Sequence, residues 1–147
     1  ITLRDGDEVI GMELLNEGEE ILIVTRNGYG KRTHEEEYRI QSRGGKGIKT
    51  VNITDKTGHL VAIKPVTGEE DLMIITAAGV IIRTAVDSIS VTGRNTQGVK
   101  LIRLDSEENE FVSTVGIVEK EDESDTDEAT ETSEEMTEEV SEETTEE

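Results

Sequence analysis

The chain repeats itself at a fixed offset of 51 residues. Ile21–Thr33 aligns with Leu72–Thr84, which carries Thr25 onto Thr76, Gly28 onto Gly79, Arg32 onto Arg83 and Thr33 onto Thr84. Continued without a gap, the same offset carries Arg43 onto Arg94, Gly47 onto Gly98, Lys49 onto Lys100 and Val61 onto Val112. A constant offset with matching glycines signals stacked structural units, each burying its apolar face against a neighbour. No arrangement that treats the two halves as unrelated satisfies that pattern.

Each unit reads as strands. Ile21–Arg26 and Tyr29–Arg32 flank Asn27-Gly28, a pair suited to a type I′ hairpin turn, and Leu72–Thr76 and Val80–Arg83 flank Ala77-Ala78-Gly79. Ile48–Ile53 and Leu60–Val66 are further strand candidates, repeated at Val99–Leu104 and Phe111–Val118. Val9–Leu15 reads as the closing strand of a preceding unit. No convincing helix falls within residues 1–118. Four strands in about 50 residues is the arithmetic of a propeller-type blade. The expected fold is all-β: a partial propeller-like repeat of four-stranded blades, about two full blades plus the end of a third. Residues 1–16 would end a preceding blade, 17–66 and 67–118 would form two blades, and 119–147 would be a disordered acidic tail. One Phe and two Tyr leave a core of Ile, Val and Leu. The chain begins at Ile1 and not at Met, so it is expected to be a fragment of a longer protein with more blades before it.

Between the strands of the first unit lies Gln41-Ser42-Arg43-Gly44-Gly45-Lys46-Gly47. Its glycines let the backbone take φ > 0 and approach a partner closely. Such a turn can aim successive N–H groups at an anion. Arg43 adds a planar fork and Lys46 a point charge, both suited to phosphate, and Gln41 adds a neutral donor. A phosphate clasp and an ordinary β-turn with solvated cations both satisfy these residues.

This heptapeptide resembles the signature box of the DNA gyrase A-subunit family, Gln-Arg-Arg-Gly-Gly-Lys-Gly. Gln41, Arg43, Gly44, Gly45, Lys46 and Gly47 match it, and Ser42 replaces an arginine. The flanking sequence through Arg94-Asn95-Thr96-Gln97-Gly98-Val99 resembles the C-terminal β-pinwheel of that family, over residues 1–118. The resemblance implies blades that exchange strands and a rim that wraps duplex DNA. Arg43 and Lys46 would hold phosphates, Lys31, Arg32, Arg39 and Lys49 would extend the path, and Arg94, Gln97 and Lys100 would form a weaker copy one blade on. Ser42 leaves open whether this is the principal box or a secondary one. The resemblance further implies an ATP-dependent type II topoisomerase, with a B subunit in an A2B2 heterotetramer that handles ATP and Mg. It also implies a location in the bacterial cytoplasm, at the nucleoid. The family's strand-cutting tyrosine lies in another domain, and neither Tyr29 nor Tyr38 has its context. The related decatenating topoisomerase IV and a propeller-like protein-interaction scaffold are the competing readings.

The formal charge of −20 averages two different regions. Residues 119–147 hold sixteen acids against Lys120 and only Ala129, Met136 and Val140 as apolar residues, too few to offset the entropy of ordering. Solubilising and DNA-competing roles both fit such a tail. Residues 26–49 hold seven bases and three acids. A local basic stripe binds polyanion even on an acidic protein, because screening leaves short-range contacts intact.

Other chemistry finds little support. There is no cysteine for a disulfide or a thiolate site, no apolar run of membrane-spanning length and no secretory signal pattern. Gly45-Lys46 lacks the opening glycine and closing hydroxyl of a P-loop. Gly28-Tyr29-Gly30 is followed by Thr33 and no helix, which excludes a dinucleotide fingerprint. His34 and His59 lie at different repeat positions, so no zinc site is expected. Asp5-Gly6-Asp7 lacks the other calcium ligands. This stretch of chain is expected to carry no catalytic residue, cofactor or metal of its own. Few aromatics argue against single-strand recognition, and mostly backbone contacts imply weak sequence preference.

Overall fold

The computed structural model describes residues 1–105 and 109–120. Seven strands form: β1 (Glu20–Thr25), β2 (Tyr29–His34), β3 (Leu60–Val66), β4 (Glu70–Thr76), β5 (Ile81–Ala85), β6 (Val99–Lys100) and β7 (Val112–Glu119). Single 3-10 turns at Glu35–Glu37 and Val86–Ser88 are the only helical elements among the described residues. The strands make two antiparallel sheets, ordered β3-β1-β2-β6 and β5-β4-β7. Residues 121–147, most of the stretch read above as a tail, lie outside the described residues. Glu119 does not belong with them, since it closes β7 opposite Glu70.

The two hairpins close identically. Gly28 N donates to Thr25 O at 3.0 Å and Tyr29 N to Thr25 Oγ1 at 3.2 Å; Gly79 N and Val80 N do the same to Thr76 at 3.0 and 3.2 Å. Gly28 and Gly79 both take a left-handed φ, 79° and 84°. In β1, Leu22, Ile23 and Val24 are all buried, so this central strand is covered on both faces, as an unbroken apolar run requires. Leu22, Val24, Val66, Leu72, Ile74 and Val112 join one core that spans both sheets.

The first sheet takes its outer strand from the second unit, because β6 pairs with β2 through Tyr29–Lys100 and Gly30–Val99. Three elements differ from the sequence expectation. Val9–Leu15 and Ile48–Ile53 form no strand. No described strand pairs with either segment. A strand without a partner leaves its N–H and C=O groups to water, and composition alone does not hold it in a ladder. Among the described residues the second sheet has three strands and not four. Val99–Leu104 forms a strand only over Val99–Lys100.

One register differs as well. Val24 pairs with Ala62 and Ile75 with Thr114, so β3 and β7 are 52 residues apart and not 51. One extra residue between β6 and β7 shifts them, and Val112 stands opposite Thr76 where Leu60 stands opposite Thr25. Val61 and Val112 are therefore not equivalent.

Candidate nucleic-acid interface

The Gln41–Gly47 turn projects from the body. Gln41, Arg43, Lys46 and the flanking Arg39 and Lys49 are exposed. Gly44 and Gly47 take φ of 74° and 86°. Gly45 does not, and a Cβ there would lie 3.3 Å from Gln41 Oε1. The turn is pinned from outside: Thr2 N donates to Gly45 O and Thr2 Oγ1 to Gly44 O, each at 3.0 Å. No backbone N–H from Ser42 to Gly47 donates to a described residue, and Arg39, Arg43 and Lys46 make no ion pair among them. Lys49 Nζ donates to Asn52 Oδ1 at 3.0 Å. The local charges and N–H groups thus face solvent together, a geometry that suits an oxyanion.

The second copy, Gly93–Gly98, is built differently. Arg94 N donates to Glu37 Oε2 at 3.0 Å, and Arg94 Nε lies 3.9 Å from the same oxygen. A carboxylate of the first unit therefore already occupies the place where an anion would sit. The rest of the guanidinium faces protein: Nη1 donates to Lys49 O at 3.0 Å and the group lies 5.9 Å from the Tyr38 ring centroid. Tyr38 in turn shares a short hydrogen bond with Thr50. Arg94 is half-buried, Gln97 is half-buried and Lys100 is exposed. The expectation of a weaker phosphate path through Arg94 is corrected here, because a carboxylate takes its backbone N–H and a carbonyl takes Nη1.

Lys31 and Arg32 are also corrected. Neither shares the exposed face of the box turn; both are buried on β2. Lys31 Nζ donates to Gly93 O and Arg94 O at 2.7 Å each and to Thr96 Oγ1 at 3.2 Å. Three acceptors exhaust an ammonium, so none of its donors remains for phosphate. Burial holds its pKa below the usual lysine range, against the Glu37 charge, which raises it. Lys31 seats the second turn on the first blade. Arg32 Nη1 meets Glu20 Oε2 at 2.7 Å, Nε donates to Ile89 O at 2.8 Å and Nη2 to Asp87 O at 3.1 Å. Its counterpart Arg83 makes the same pair with Asp71 at 2.7 Å, so this arginine is a repeated structural device.

A second basic surface joins Lys100, named above, to two cations that had no assigned role, Arg26 and Lys56. Arg26, Lys56 and Lys100 gather around Tyr29 and Phe111 at the mouth of the first hairpin. The offset carried a signal for it: Arg26, Asn27 and Tyr29 stand where the second unit has Ala77, Ala78 and Val80.

These features define a propeller-type repeat of antiparallel sheets with an arginine-bearing turn in each unit. A family model described as DNA gyrase C-terminal domain, beta-propeller, matches residues 1–16, 19–67 and 70–119. The chain belongs to that family. It is 56% identical over 130 residues to the DNA gyrase A subunit of Staphylococcus aureus strain NCTC 8325, covering 87% of this chain and 14% of the relative. The A subunit from strain MRSA252 is 56% identical over 131 residues, covering 87% and 15%. The chain therefore spans about one-seventh of the curated relatives it matches. Among solved structures, a DNA gyrase A C-terminal domain aligns with a TM-score of 0.64 at 25% identity, over 69% of this chain and 34% of that one. The C-terminal domain of DNA topoisomerase IV aligns at 0.63 and 23% identity, over 71% and 31%, which bears on the fold alone.

Proposed function

We propose that this chain binds duplex DNA on its rim and bends it, as part of the A subunit of an ATP-dependent type II topoisomerase that introduces negative supercoils. One observation carries the reading. The Arg94 turn grips a carboxylate through a backbone N–H, whereas the equivalent Arg43 turn offers its N–H groups, Arg43 and Lys46 with no acceptor from the described protein. The Arg43 turn presents exposed cations beside Gly44 and Gly47 of left-handed φ, an arrangement that suits a phosphate oxyanion. Arg39 and Lys49 flank it and extend the track. Contacts of this kind go to the backbone and are weak in sequence preference. Bending a 20–30 bp segment by 40–90° costs on the order of 1–6 kcal/mol, which charge-assisted phosphate contacts must offset.

The holoenzyme would be an A2B2 assembly that works on the nucleoid in the cytoplasm, with ATP and Mg in the B subunit. The 56% identity to a gyrase relative favours supercoiling over the decatenating reading. The test uses the intact protein with its B partner. Arg43→Ala/Lys46→Ala should impair introduction of negative supercoils more than ATP-dependent relaxation. An equal loss of both would contradict a wrapping role, since strand passage itself would then need these residues.

A further inference from the structure

The turn of the first hairpin walls a cleft of about 680 Å³, whose lining includes Arg26, Tyr29, Lys56, Lys100, Phe111 and the carboxylate of Glu110. The Arg26 guanidinium lies 3.6 Å from the Phe111 ring centroid, and Lys56 Nζ and Lys100 Nζ each lie 5.5 Å from that of Tyr29. A cation held on a ring face loses part of its hydration and keeps its remaining N–H groups for another acceptor. None of the three makes an ion pair among the described residues. Glu110, the only carboxylate among the described lining residues, is engaged elsewhere. It accepts from Thr76 Oγ1 at 2.6 Å and Asp105 N at 3.1 Å, and these bonds hold its pKa below the usual carboxylate range.

The cleft is held in place, not a chance meeting of long side chains. Asn27 Nδ2 donates to Asp55 O at 3.0 Å and Lys56 O at 3.2 Å, and Asn27 N donates to Thr57 O at 3.1 Å, which fixes the loop that carries Lys56. Lys100 is paired with Tyr29 in the ladder. Val112 N donates to Arg26 O at 2.9 Å, which sets Phe111 beside Arg26. The fold does not demand these residues. The second hairpin closes with the same hydrogen bonds, and its own residues Ala77, Ala78 and Val80 carry neither a cation nor a ring.

We propose that this cleft is a phosphate site separate from the box turn, taking the phosphate oxyanion of either a DNA backbone or a free polyphosphate compound such as a nucleotide. An arginine fork with two lysine point charges suits a phosphate group, and a cleft of this size suits a small ligand. The site stands whether or not the rim wraps DNA.

Tyr29 and Tyr38 are the only tyrosines, so isotope-labelled tyrosine gives two sets of ring signals in an NMR titration of the full chain. Inorganic pyrophosphate and a short duplex are titrated separately. Tyr29 should shift with one or both: a response to the duplex identifies the DNA backbone as the source, and a response to pyrophosphate alone identifies a free phosphate compound. Arg26→Gln/Lys56→Gln should weaken the responding probe at Tyr29 by about tenfold or more. Arg43→Ala/Lys46→Ala should leave the pyrophosphate response intact. If the double variant does not fold, Lys56→Gln alone, whose side chain makes no hydrogen bond among the described residues, serves the same comparison. Tyr29 signals unmoved by both probes, shifts unchanged by the cleft variants, or a pyrophosphate response abolished in the box variant would each overturn the proposal.

Discussion

The backbone N–H of Arg94 donates to Glu37 Oε2 at 3.0 Å, across the junction between two repeat units. The equivalent N–H of Arg43 has no described acceptor. A carboxylate of the first unit thus fills the anion position of the second unit's turn. Removing that carboxylate should open the second turn. Glu37→Ala is expected to tighten duplex binding at low salt and to steepen log K against log[salt] by about 0.9, the effect of neutralising one more phosphate. An unchanged slope in the variant would mean that the Arg94 turn takes no phosphate.

The repeated arginine pairs differ in environment and should differ in worth. Arg32 and Glu20 are each 11% exposed at the side chain, whereas Arg83 is 32% exposed. Arg32→Ala removes the buried partner of Glu20, leaving only the exposed His34 ring 3.4 Å from Oε1, and should cost about 3–5 kcal/mol. Arg83→Ala also strands a carboxylate only 12% exposed at the side chain, Asp71, but removes a part-exposed arginine and so lets water reach it; it should cost less, about 1–3 kcal/mol. Urea unfolding of the two variants measures both, and equal costs would contradict the difference in burial.

Acid stability has a named contributor in the turn before β4. Glu70 accepts from Thr67 N at 3.0 and 3.1 Å, from Thr67 Oγ1 at 2.8 Å and from Gly68 N at 3.0 Å. Partial burial would raise its pKa, but these donors prevail and lower it. A folded pKa below the unfolded one contributes stability above the unfolded value, about 4.3, and loses it as pH falls toward the folded value. Glu70→Gln should therefore be less stable than the parent by about 1 kcal/mol at neutral pH, and the gap should close as pH falls below about 4. Thermal unfolding across that range tests the sign; a gap that widens on acidification would refute it.

Two glycines separate conformational from steric need. A Cβ on Gly98 would lie 2.5 Å from Gly30 O, and Gly98 also has φ +80°. Gly44 has φ +74° but open space around it. Gly98→Ala should cost about 3 kcal/mol or more and loosen the β2–β6 junction, whereas Gly44→Ala should cost about 1–2 kcal/mol. Denaturant midpoints of the two variants would show the order.

Much of this was legible in the sequence because it is local. Asn27-Gly28 and Ala77-Ala78-Gly79 mark hairpins by their own turn chemistry, and the offset tied the two together. Strand pairing is not local. Val9–Leu15 and Ile48–Ile53 have strand composition but no partner, and nothing within either segment says so. Counting charges also misplaced Lys31 and Arg32, since a cation on an inward-facing strand position looks like one on a rim. The repeat held the correction: Lys31 aligns with Ile82, an apolar residue, and Arg32 recurs as Arg83 together with an acid at Glu20 and Asp71. The carboxylate inside the Arg94 turn was hidden because Glu37 reaches it from the other unit, 57 positions away.

The central claim is that Arg43 and Lys46 hold phosphate. Duplex binding by the parent chain and by Arg43→Ala/Lys46→Ala, each measured over a range of salt concentrations, tests it most directly. The variant should bind more weakly, with a slope of log K against log[salt] flatter by about 0.9 for each phosphate no longer neutralised. Affinity and slope equal to those of the parent would contradict the claim.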